Sequence, residues 1–202
     1  MPNLIFENHF KDLFENTSDL IYFLTIEGNI ELVNPAWLKT LDYELEEVVG
    51  KSIYDFIHPP CIKEYKAERS IAISKKTSIE LTTTFLTKHG NEVVGEGQIA
   101  YFGNKDQPVY TRGVFRNVTA RKAAEKKIEE SEKRLKTFFE SGPDAVIVIN
   151  QHQQILEWNS KAEIIFGYTA VEVIGKPLSE TIIPHQYREA HKRGMAHFLS
   201  TG

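Results

Sequence analysis

The side chains that could do chemistry are few. Cys61 is the one cysteine of the chain, so an internal disulfide is impossible and a multi-cysteine metal site is excluded. Histidines gather near the C-terminal end, in Ile183-Pro184-His185-Gln186-Tyr187-Arg188-Glu189-Ala190-His191. That string opens a helical stretch through Met195, Phe198 and Leu199 to Thr201-Gly202. A neutral imidazole is a good metal ligand, but His185 and His197 have no companions at zinc spacing, so a metal site is not expected. No glycine-rich phosphate loop follows a strand. No nucleophile–base pair and no paired carboxylates stand at a plausible site. The chain does not read as an enzyme.

Bulk properties narrow the classes further. A length of 202 residues fits one or two domains. At 41% hydrophobic and 26% charged it is too apolar for a disordered chain. A net charge of −4 gives no reason to expect nucleic-acid binding. No apolar run approaches the roughly 20 residues that span a bilayer. The opening MPNLIFENHFKDLF has an early acid and no basic start, so it does not read as a signal peptide. A cytoplasmic protein, or the cytosolic part of a larger one, is the expectation.

An internal repeat organises these residues. Asp144 lies 125 residues after Asp19, and at that offset the halves run on without a gap. Asn34 meets Asn159, Tyr43 meets Tyr168, and Pro59 meets Pro184. Glu47-Val48-Val49-Gly50-Lys51 meets Glu172-Val173-Ile174-Gly175-Lys176. Upstream, Lys11, Phe14 and Glu15 meet Lys136, Phe139 and Glu140. A unit this long is a domain rather than a solenoid repeat. The first copy is placed at 8–119, a charged linker at 120–137, and the second copy at 133–202. By comparison with the first, the second stops before its last strands. Its short sheet would then be loose, or completed by a neighbouring chain.

Within one copy, Leu20–Ile26 reads as a buried strand, Glu27-Gly28-Asn29 as a turn, and Ile30–Val33 as the partner strand. Asn34-Pro35 fits a helix start, with Asn as N-cap and Pro at the first helical position. That helix carries Trp37, Leu38 and Leu41 on one side. Gly50 is placed to take a left-handed conformation. A helical stretch with Ile62, Tyr65 and Ala72 follows Pro59-Pro60. Ile79, Leu81, Thr83 and Phe85 then alternate with Glu80, Thr82 and Thr84, as in a sheet with one wet face. Glu92–Phe102 and Val109–Val118 complete three strands, with turns at His89-Gly90-Asn91 and Asn104–Pro108. Five antiparallel strands with helices on one face make an α+β fold.

That order resembles the PAS family. The pattern is Asp, apolar strand, turn, strand and Asn, then Tyr, then Glu-x-Val-x-Gly-Lys, then Pro. It ends in Gly113-Val114-Phe115-Arg116-Asn117-Val118-Thr119, similar to the Asp-Ile-Thr ending that couples a PAS sheet to an outgoing helix. Here Asn117 stands at the Asp position, so an ion pair there gives way to a neutral hydrogen bond at most. The resemblance implies a sensory module upstream of a histidine kinase, a cyclic-dinucleotide enzyme or a chemoreceptor-like output. The chain carries no phosphoacceptor histidine motif, ATP-lid glycine pattern or cyclase signature.

The linker is dense in charge and lacks Gly and Pro. Ala124, Ile128, Ser131, Leu135 and Phe138 fall at spacings of a heptad seam. A homodimer through a short coiled coil is expected, marginal because two heptads are few and Ser131 weakens them. Asn117, Thr119, Ile128 and Leu135 are the expected signal-coupling positions.

The resemblance also implies a place for a ligand, between sheet and helices. In the first domain Trp37, Tyr65, Ile79, Leu81 and Phe85 are the candidates, and plain core packing is the simpler account of them. A flavin photosensor is not expected: its reactive cysteine follows Asn in a helix where this chain has Pro35-Ala36-Trp37 after Asn34, and Cys61 lies elsewhere. The stretch ending at His191 is similar to the haem-ligating helix of oxygen-sensing PAS kinases, so haem with His191 as proximal ligand is an alternative. Lys66 occupies the matching register of the first domain. The expectations are a relay module of a two-component sensor kinase, a haem-based gas sensor, or a ligand-free dimerisation scaffold. The partners would be a second copy, an output domain and a small-molecule ligand.

Overall fold

The computed structural model describes residue 9, residues 11–103 and residues 110–201. The Asn104–Pro108 turn lies outside the described residues. The chain divides into two compact units, Met1–Glu125 and Lys126–Gly202.

In the first unit a helical stretch at residues 11–16 leads into β1 (Leu20–Thr25) and β2 (Ile30–Val33). Gly28, at φ 102°, makes the turn between them. β1 ends one residue before the expected Ile26, because the turn already closes at Thr25, whose carbonyl accepts from Gly28 N at 3.0 Å; the Thr25 and Ile26 carbonyls also accept from Arg69 Nη2 at 2.8 Å. Helices α1 (Pro35–Leu41), α2 (Leu45–Val48) and α3 (Ile62–Lys75) follow, with 3₁₀ turns at Ile53–Phe56 and Pro59–Cys61. α1 starts as its residues dictate: Asn34 caps it, Pro35 opens it, and Asp42 ends it in a left-handed conformation. Strands β3 (Ser78–Leu86), β4 (Glu92–Phe102) and β5 (Tyr110–Asn117) complete an antiparallel sheet in the order β2-β1-β5-β4-β3.

The period-two pattern sends Leu20, Tyr22, Leu24, Phe85, Ile99 and Phe115 to one face of the sheet, where they bury Trp37, Leu41, Ile53 and Tyr65 from the helices. Gly113 lies opposite Tyr22, and a Cβ there would sit 2.0 Å from Tyr22 Cζ. The glycine lets the Tyr22 ring cross β5 and stack on Phe115, centroids 5.9 Å apart.

Helix α4 (Thr119–Ser141) is 23 residues long and ends at Gly142-Pro143, residues that disfavour its continuation. The second unit repeats the start of the first: β6 (Ile147–Ile149), β7 (Ile155–Trp158), α5 (Ser160–Phe166), α6 (Ala170–Val173), α7 (Leu178–Thr181), a 3₁₀ turn at His185–Tyr187 and α8 (Arg188–Thr201). Its sheet has two strands, and its core gathers Ile155, Trp158, Ala162 and Val173. Among the described residues no helix is long and apolar enough to cross a membrane.

Candidate functional site: one domain core and the two ends of a charged helix

The five ligand-site candidates of the first domain do meet on one core. Trp37, Tyr65 and Phe85 are fully buried, and Ile79 and Leu81 are half-buried against the same cluster. Trp37 packs edge-on to Phe56 at 5.3 Å, and Phe85 edge-on to Phe115 at 5.4 Å. The Tyr65 and Tyr22 hydroxyls share a short hydrogen bond. Burial pushes both phenols above the ordinary tyrosine range, so both stay neutral. Two polar atoms in this core, Trp37 Nε1 and Thr83 Oγ1, are buried with no hydrogen-bond partner. Most buried polar groups are paired, so these two atoms are the unpaired polar positions of this core.

Arg69 escapes a reading by sequence, because an arginine in a helix with Lys66 and Glu68 looks like a solvated charge. It is 5% exposed. Nε donates to Thr111 Oγ1 at 3.3 Å, Nη1 to Tyr54 at 3.4 Å, and Nη2 to the carbonyls of Thr25 and Ile26. It ties α3 to the β1–β2 turn and to β5. Lys66 lies over the Tyr54 ring, 4.6 Å from its centroid. Cys61 is half-buried beside the core.

The first turn of α4 is fastened to the outer face of the sheet. Thr119 N and Oγ1 donate to Asn117 Oδ1 at 3.0 and 2.7 Å, and Thr119 Oγ1 accepts from Val94 N at 2.9 Å. Val118 N donates to the Val94 carbonyl at 2.9 Å. The neutral Asn117 thus keeps the junction by hydrogen bonds alone. Charge is supplied by Glu96 on β4, a residue the alternating pattern marks only as solvent-facing. Its carboxylate receives Arg121 and, at 3.2 Å, Lys122 Nζ. The Lys122 hydrogen bond, with the Arg121 charge, holds the Glu96 carboxyl below its ordinary range. Arg121 also reaches Glu125 at 2.9 Å.

The last turn of α4 is fastened to the second domain by a node that the repeat makes twice. Asn159 is fully buried. Its Nδ2 donates to the carbonyls of Phe139 (2.9 Å) and Asp144 (3.0 Å), and its Oδ1 accepts from Val146 N and Ala162 N, both at 2.9 Å. Asn34 makes the same four bonds, to Phe14, Asp19, Ile21 and Trp37. One amide joins incoming helix, first strand and first cap. The sequence showed the paired Asn residues, but an N-cap accounts for only one of the four bonds. In the second domain Glu140 adds a grip, accepting from Ser160 N (3.1 Å) and Oγ (2.6 Å), which lowers the Glu140 carboxyl.

Between these ends α4 buries none of its residues. Of the expected seam, Ile128 is 59%, Leu135 66% and Phe138 70% exposed. On α8 the Nδ1 of His191 is buried with no hydrogen-bond partner. Among the described residues no group of three or more His, Cys, Asp or Glu is placed to hold a metal ion.

Residues 18–120 match the family described as PAS domain, and residues 133–201 the family described as PAS fold. Sporulation kinase E of Bacillus subtilis is 23% identical over 185 residues, 89% of this chain and 24% of that protein. Sensor protein FixL of Bradyrhizobium diazoefficiens is 28% identical over 89 residues, 44% of this chain and 17% of that protein. This chain therefore spans a quarter or less of these two relatives. A PAS domain from Colwellia psychrerythraea superposes with a TM-score of 0.53 at 20% identity, over 57% of this chain and 98% of that one. The PAS domain of an HTR-like protein from Haloarcula marismortui gives 0.50 at 22% identity, over 57% and 94%.

Proposed function

Because the chain belongs to the PAS family, we propose that it is the sensory and relay module of a longer signal-transduction protein, a two-component sensor histidine kinase. Likeness to sporulation kinase E and to sensor protein FixL supports the kinase context. The module itself binds and transmits, and catalysis belongs to an output domain of the parent. The observation that carries the reading is the fastening of α4 at its two ends: Glu96, Val94 and Asn117 at its start, Asn159 and Ser160 at its finish.

That geometry supports a relay through the sheet. A small molecule settling among Trp37, Tyr65, Ile79, Leu81 and Phe85 would meet the unpaired Trp37 Nε1 and Thr83 Oγ1. Seating it displaces β3, β4 pairs with β3 along its length, and Glu96 and Val94 ride on β4. Arg121, Lys122 and Thr119 follow, so the helix start shifts with the sheet. The seam Ile128, Leu135 and Phe138 packs against a second copy, and a short seam is a suitable two-state element. In a fusion of this chain to a histidine kinase output, Glu96→Lys should change autophosphorylation several-fold. Output indifferent to Glu96→Lys would overturn the relay.

A haem-based sensor is a second reading, favoured by one observation, the buried and unpartnered Nδ1 of His191. The nitrogen that would reach an iron is the other one, Nε2, and through it His191 would hold the haem, whose iron would bind a gas. Lys66, engaged with Tyr54, offers no such ligand in the first domain. Titration of the purified chain with hemin should give a Soret band that His191→Ala abolishes. Identical spectra for both proteins would reject this reading.

A further inference from the structure

The C-terminal half of α4 borders an open groove of about 700 Å³ within the second unit. Its apolar lining is Leu135 and Phe139 of α4, Leu156 and Trp158 of β7, and Ile174 after α6. Leu156 is 50% and Ile174 53% exposed. Glu132, Glu140 and Glu157 also line it, against one cation, Lys136. Hydrogen bonds from Ser160, helped by the Lys136 charge, hold the Glu140 carboxyl low and ionised. Glu132 and Glu157 stand in no ion pair among the described residues.

The first unit carries the same frame, 125 residues earlier. Lys11, Phe14 and Glu15 stand for Lys136, Phe139 and Glu140, and Val49 for Ile174. There Leu32 is 41%, Leu45 42% and Val49 44% exposed, although the sheet has five strands. The opening therefore belongs to this side of the fold and does not come from a two-stranded sheet. The second unit makes it more apolar, with Leu156 in place of Glu31 and Trp158 in place of Val33. The groove also lies off the heptad seam. With Ile128 and Leu135 at a, Glu132 and Phe139 fall at e, Lys136 at b and Glu140 at f. Leu135 alone is shared, so helices paired through the seam leave this side free. An oily floor between carboxylates suits an amphipathic helix whose apolar stripe is flanked by Lys or Arg. A second α4 is a poor match, because it sets Glu125, Glu129, Glu130 and Glu132 among its lysines.

We propose that this groove docks a basic amphipathic helix of a partner protein. Glu132 and Glu157 pair with its cations, and Leu156 and Ile174 take its apolar stripe. Because α4 is one wall, the occupant clamps that helix to the β7–α6 surface. The docking does not depend on a ligand or a relay in the first domain. Fluorescence anisotropy of the chain with a labelled synthetic helix tests it, the probe carrying Leu at i, i+4, i+7 and i+11 and Lys on both flanks. The wild type should bind this peptide, more weakly as salt is raised. Ile174→Asp should weaken binding about tenfold or more, and so should Glu132→Lys combined with Glu157→Lys. Val49→Asp, at the same register of the first unit, should leave it unchanged. The peptide remade with Glu for every Lys should prefer the doubly substituted chain to the wild type, which a misfolded variant would not achieve. No binding of the basic peptide at about 100 μM wild-type chain overturns the proposal, as does equal binding by wild type and variants. Sedimentation of the same proteins supplies the last outcome. A monomer–dimer balance shifted by Ile174→Asp would give the groove to a second copy and overturn the partner helix.

Discussion

Asn159→Asp separates the two jobs of one side chain. The aspartate oxygens can still accept from Val146 N and Ala162 N, so strand start and α5 cap survive. The donations to the Phe139 and Asp144 carbonyls, at 2.9 and 3.0 Å, are lost. Each is worth about 1 kcal/mol net, and a carboxylate facing two carbonyls at a fully buried position adds a further penalty. A total near 3 kcal/mol corresponds to roughly a hundredfold rise in local opening, at tenfold per 1.4 kcal/mol. Hydrogen exchange read by mass spectrometry should show it over residues 136–146, with the first domain unchanged. The reasoning fails if those amides exchange as in the wild type. It fails also if the loss spreads evenly over β7, α5 and α6, for then Asn159 stabilises its domain without holding the helix.

Acid should release both ends of α4. The Glu96 and Glu140 carboxyls are held below their ordinary range, so their contribution is complete above the unfolded value of about 4.3 and is lost as pH falls through the lower folded values. Exchange protection at residues 119–125 and 137–141, corrected for intrinsic rates, should hold from neutral pH to about 5 and fall below that. Loss of protection between neutral and mildly alkaline pH would contradict the assignment. Gly113→Ala puts a methyl 2.0 Å from Tyr22 Cζ, so the first domain should lose about 2 kcal/mol or more in urea unfolding. An unchanged midpoint would show that the Tyr22 ring does not need the glycine.

Much of this architecture is legible in the sequence because it is local. Asn34-Pro35 starts a helix wherever it sits, and the alternation from Ile79 to Phe85 sets the face of β3. The offset of 125 residues reveals two domains because equal residues do equal structural work, as Asn34 and Asn159 do. The coupling residues are less legible because their partners are distant. Glu96 looks like any polar residue on the wet face of a strand until Arg121 and Lys122 are folded onto it, 25 and 26 residues later. Arg69 reads as a surface charge, since its acceptors are carbonyls of a turn more than forty residues upstream. Thr83 passes for a strand former, and only its burial without a partner singles it out.

The central claim is that the sheet of the first domain holds the start of α4 through Glu96. Hydrogen exchange over residues 119–128 in Glu96→Lys, and in Glu96→Lys combined with Arg121→Glu and Lys122→Glu, tests it most directly. The account predicts that protection falls in the single variant and returns in the charge-swapped one, while β3 and β4 stay as protected as in the wild type. Equal protection of α4 in all three proteins would contradict it.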